Sequence, residues 1–130
     1  MAVAGIGLTR GVLRCAVEEL EKAVKLGDIF LYRNAADKVF LALVIAVNAY
    51  IAAVEGVEPT SHAERRKILR KMGREDLRAL YSDLLKTHEE VFCRGIYQSD
   101  EVKYAVKKVE EVIAQLEEEV GRRRGSPVPQ

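Results

Sequence analysis

The chain has 130 residues, 48% hydrophobic and 32% charged, with three Pro and no Trp, which describes one compact domain and excludes a disordered or low-complexity chain. Its 21 basic and 20 acidic side chains leave a net charge of +1, so no global field directs it to nucleic acid or to an anionic membrane, and any such binding must come from a local patch. Asn and Gln together number five against abundant Glu, Lys and Arg, a bias found in heat-adapted proteins.

Met1 to Thr9 lack a basic n-region and carry Gly5 and Gly7, so they read as a flexible arm rather than an export signal, and a cytoplasmic protein is expected. Five segments with a 3.6-residue apolar rhythm follow, each closing at a glycine: Gly27, Gly56, Gly73, Gly95 and Gly121. The first is predicted from Arg10 to Leu26, with Leu13, Val17, Leu20 and Val24 inward. The second starts at an Asp28 cap, reaches about Glu55 and is apolar nearly all round, which places it at the centre. Its apolar run from Val39 to Val54 falls short of the roughly 20 residues that cross a bilayer.

A short third helix opens after Pro59, with Ser61 and Glu64 forming a capping box, and ends near Met72. The fourth spans Glu75 to Arg94, with Leu77, Leu80, Tyr81, Leu84, His88, Val91 and Phe92 inward. The fifth opens at Ser99 and packs through Val102, Val106, Val109, Ile113, Leu116 and Val120. Residues 122–130 have no apolar face and read as a tail. The prediction is an all-α, five-helix up-and-down bundle over residues 10–121.

No phosphate loop, nucleophile elbow or metal-ligand spacing is present, and no cofactor or metal is expected. Cys15 and Cys93 read as reduced, buried thiols, with a disulfide as the alternative. Arg65, Arg66, Lys67, Arg70, Lys71 and Arg74 place six cations within ten residues without an acid among them. That patch suits a phosphate backbone, or else a solvated face paired with Glu75, Asp76 or Glu117 to Glu119. His62 reads as a capping-region residue, and His88 as a core histidine or a base beside Arg94. Asn34, Asp37 and Asn48 fall near one stripe of the second helix, as a polar interface or a pocket.

Three stretches carry a family resemblance: Asn34 to Val39, Pro59 to His62 with Ile68-Leu69, and Phe92-Cys93-Arg94-Gly95-Ile96-Tyr97. Over about Val12 to Val120 the order of features resembles the HEPN superfamily, most closely its archaeal PaREP-type members. The resemblance implies a homodimeric helical bundle with RNA or a partner protein, such as a nucleotidyltransferase in a toxin–antitoxin-like pair, as its target. Catalytic HEPN proteins are metal-independent ribonucleases with four to six residues between an Arg and a following His. Arg94 matches that Arg, but Ser99, Asp100 and Glu101 stand where the His would fall. The resemblance therefore implies a non-catalytic or weakly active module, with a ribonuclease using Arg94 together with His88 or Tyr97 as the alternative.

Overall fold

The computed structural model describes residues 2–94 and 99–125, with side chains described for 5–90 and 100–122. The described residues form five helices and no strand: α1 (Ala2–Leu26), α2 (Ile29–Glu55), α3 (His62–Lys71), α4 (Glu75–Arg94) and α5 (Ser99–Gly125). The all-α bundle read from the sequence is the fold.

Local chemistry sets most of the boundaries. Gly27, Gly56 and Gly73 have φ of 64°, 71° and 75°, the left-handed conformation that a glycine enters without Cβ strain. Asp28 caps α2 by accepting from the backbone N–H groups of Phe30 and Leu31. Ser61 caps α3 by accepting from the N–H of Glu64 at 3.0 Å, which is the Ser61 half of the expected box. Gly95 lies outside the described residues, and α5 runs through Gly121 to Gly125 rather than ending there.

Helix α2 is the hub, in contact with α1, α3, α4 and α5. By length and composition it is the described helix able to cross a membrane. In this fold its residues from Tyr32 to Ile51 supply much of the core, with Leu43, Val47 and Ile51 at 1% exposure or less. All six residues of the predicted α5 seam are buried against it and its neighbours. On α4, Leu77, Tyr81 and Leu84 are buried, Leu80 is half-buried, and the side chains of Val91 and Phe92 lie outside those described.

Helix α1 departs from expectation in two ways. It begins at Ala2 instead of Arg10, and Ile6 and Thr9 are fully buried, so the supposed arm is part of the core helix. Its inward seam is Ile6, Thr9, Leu13, Ala16, Leu20 and Ala23, which keeps Leu13 and Leu20 of the predicted stripe but has Ala16 and Ala23 in place of Val17 and Val24 and leaves Val24 54% exposed. The cause is close approach of α1 to α2: a Cβ on Gly5 would stand 3.3 Å from the Ala49 Cβ, so small residues face α2. Cys15, expected to be buried, lies off this seam and is exposed, and the side chain of Cys93 is not among those described.

Candidate nucleic-acid interface

The ten residues of α3 divide their cations between two faces. Arg65 and Leu69 point into the bundle, at 8% and 0% exposure. Arg66, Lys67, Arg70 and Lys71 occupy two adjacent i,i+4 stripes on the opposite side, with Arg66 half-buried and the other three exposed. Arg70 approaches Glu75 at 4.0 Å with both side chains over half exposed, a geometry that contributes little.

The inward Arg65 sits in a polar and aromatic cluster. Its Nε donates to Asn48 Oδ1 at 2.6 Å and its Nη1 to the hydroxyl of Tyr81 at 3.3 Å. Tyr81 is fully buried, and burial pushes its phenol above the usual tyrosine value. His62 Nδ1 is 2.6 Å from the same hydroxyl. Burial, with the charges of Arg65, Arg66 and His88, holds the His62 imidazole below its ordinary value. Phe40 lies between the two histidines, its ring centroid 5.5 Å from that of His62 and 5.2 Å from that of His88, the latter stacked. His88 Nδ1 is 3.8 Å from Asp37 Oδ1.

Arg74 is also structural. Its side chain is 15% exposed, and its guanidinium reaches Asp76 at 3.1 Å, Glu119 at 2.7 Å and the Tyr50 hydroxyl at 2.7 Å. The hydrogen bond to Asp76 is the main cause that raises the Arg74 pKa, and in return it holds the Asp76 carboxyl below the usual range. This guanidinium ties the turn between α3 and α4 to α2 and α5.

The six-cation patch is therefore corrected to four outward residues, because Arg65 and Arg74 are taken into the bundle. Asn48 has the cross-helix partner its half-buried position calls for, Arg65. The polar trio does not gather into one pocket. Asn34 and Asp37 are exposed, Asp37 faces His88, and Asn48 lies eleven residues further on, about 16 Å along the helix axis at 1.5 Å per residue. Arg94 ends α4, its side chain is outside those described, and Tyr97 falls outside the described residues. His88 is brought onto Phe40 and Asp37, with 22% of its side chain exposed.

Sequence reasoning missed Phe40, Tyr50 and Tyr81 as members of these clusters. The signal for Arg65 was present: positions 62, 65 and 69 follow the three-then-four spacing of one helix face, and Leu69 marks that face as inward. Elsewhere, a groove of about 390 Å³ runs between α1 and α5 over Val17, Leu20, Val24 and Val106. No cluster of metal-ligating side chains occurs among the described residues.

A helical bundle with a buried arginine under a short basic helix is the class of protein that this geometry defines. The sequence matches the Archaeal PaREP1/PaREP8 family over residues 12–113, and the chain belongs to that family. Comparison with curated proteins and with solved structures finds no match.

Proposed function

We propose that the protein is a non-catalytic or weakly active module of HEPN type that binds RNA through the outward face of α3. The observation that carries this is the set Arg66, Lys67, Arg70 and Lys71 on one helix face, whose one acidic contact among the described residues is the long Arg70–Glu75 pair. In a chain of net charge +1, four cations so gathered are a local feature, and phosphates are the groups that neutralise such a face. The order of five helices, with Arg94 closing α4 ahead of α5, supports the HEPN assignment. Two observations support the absence of strong catalysis. Ser99, Asp100 and Glu101 follow Arg94 where an imidazole would be needed, and His88 is turned onto Phe40 and Asp37.

Titration of a labelled single-stranded RNA, followed by fluorescence anisotropy, tests the proposal. Saturable binding at about 50 mM salt that weakens steeply by about 200 mM is the expected result, and binding indifferent to salt would overturn it.

A second copy of the chain is proposed to cover the corner where α1 meets α2. Val24, Leu26, Ile29 and Phe30 stand there at 54%, 67%, 51% and 74% exposure, a cluster of large apolar side chains of the kind that marks an interaction surface. Phe30→Glu is expected to give a monomer in sedimentation equilibrium where the unaltered protein gives a dimer. A monomeric unaltered protein at high concentration would contradict the dimer.

A further inference from the structure

Arginine has no acceptor, so any atom it approaches at hydrogen-bond range must offer a lone pair. Arg65 Nη1 lies 3.3 Å from the Tyr81 hydroxyl and 3.4 Å from His62 Nδ1. The Tyr81 hydroxyl is 2.6 Å from that same Nδ1, and with one proton and two lone pairs it is able to accept from Arg65 while donating to the ring. Arg65 can only donate, so its contact assigns the acceptor role to His62 Nδ1 and with it the proton of the neutral ring to Nε2. The depressed pKa of His62 keeps this neutral form in place at physiological pH.

The chain of donors runs from the inside outwards. Arg65 is 8% exposed, Tyr81 is fully buried and His62 is exposed at the rim. Asn48, Tyr81 and His62 are the hydrogen-bond partners of Arg65 among the described residues, and none of them is a carboxylate. A desolvated cation without a counter-charge polarises the hydroxyl and imidazole that its hydrogen bonds reach. The resulting donor at His62 borders Arg66, whose charge acts on the ring and which begins the outward cationic face.

We propose that His62 is a phosphate-recognition residue: its Nε2–H donates to a phosphodiester oxygen of the bound strand, and Arg65 and Tyr81 fix that tautomer from behind. The inference rests on the RNA-binding proposal. It assigns His62 to binding and not to proton abstraction, since a general base would need a bare Nε2, which this order of hydrogen bonds does not supply.

Nitrogen-15 spectroscopy of the histidine rings in the full-length protein is the test. The expected results are an Nε2–H tautomer for His62 at pH 7.5 and a shift of that nitrogen on saturation with single-stranded RNA. His62→Ala should weaken RNA binding roughly 3- to 10-fold, the value of one hydrogen bond, while His62→Gln, which retains an outward donor, recovers part of the loss. Tyr81→Phe, which leaves the 3.4 Å Arg65 contact as the donor at Nδ1, should weaken the tautomer preference while the protein stays folded. An Nδ1–H tautomer, or a His62 signal unmoved by RNA that still binds with full salt dependence, would overturn this inference and leave the RNA proposal standing. An equal response to inorganic phosphate alone would make free phosphate the ligand and overturn the assignment to a strand. Absence of salt-dependent RNA binding would overturn the proposal beneath it.

Discussion

Replacing Arg66 and Arg70 together by alanine is expected to lower the affinity for single-stranded RNA about 25-fold at 0.1 M salt. Each phosphate contact on a single strand releases roughly 0.7 counterion, so two lost contacts remove about 1.4 logarithmic units of binding at that concentration. The slope of log affinity against log salt should fall from about −3 to about −1.5. Stability should change by no more than about 0.5 kcal/mol, because these side chains face away from the core and Arg70 has only the exposed 4.0 Å contact with Glu75. Anisotropy titrations at several salt concentrations, with thermal melts of the same samples, check both halves. An unchanged slope in the double variant would remove α3 from the interface.

Arg65→Ala is expected to do the reverse, with a loss of about 2–4 kcal/mol of folding stability and little change in the RNA salt slope. The substitution withdraws the 2.6 Å bond to Asn48 and the 3.3 Å bond to Tyr81, and each buried polar group left short of a donor costs about 1–3 kcal/mol. For a domain of this length that corresponds to a fall in Tm on the order of 10 °C. No carboxylate is left stranded behind Arg65, so Arg65→Met, which preserves the apolar stem, should cost less than Arg65→Ala. The network also has a pH dependence of defined sign. The folded-state pKa of His62 lies below its unfolded value, so its contribution to stability is present above about pH 6.5 and is lost as the pH falls. In Arg65→Met the adjacent cation is gone and this acid loss should shrink. Denaturant titrations at pH 7.5 and pH 5.5 measure these differences, and an Arg65→Ala protein as stable as the original would show that the cluster does not hold α3 in place.

What the sequence revealed and what it concealed separate along physical lines. The closings at Gly27, Gly56 and Gly73 and the Ser61 cap were legible because each depends on a few adjacent residues. The α5 seam was legible because valine, isoleucine and leucine at alternating spacings of three and four leave one orientation of lowest exposure. The α1 seam was not, since Ala16 and Ala23 give a weak hydrophobic signal although both are buried. Gly5, which in the sequence reads as part of a flexible arm, is the point of close approach to Ala49. At the candidate site, the run of cations was plain, but composition treats an inward and an outward arginine alike. For Arg65 the spacing to Leu69 is a local cue, whereas nothing near Arg74 in the chain marks its inward turn onto Glu119, 45 residues away. Likewise, the polar character of Asn48 was visible, whereas its partner became evident only once α3 had been laid across α2.

The salt dependence of RNA binding by the unaltered protein tests the α3 interface without any substitution. Four outward cations predict that log affinity falls with log salt with a slope of about −2 to −3, in keeping with about 0.7 counterion released per phosphate contacted. A slope near zero, or no binding at low salt, would show that α3 does not present its outer face to a phosphate backbone.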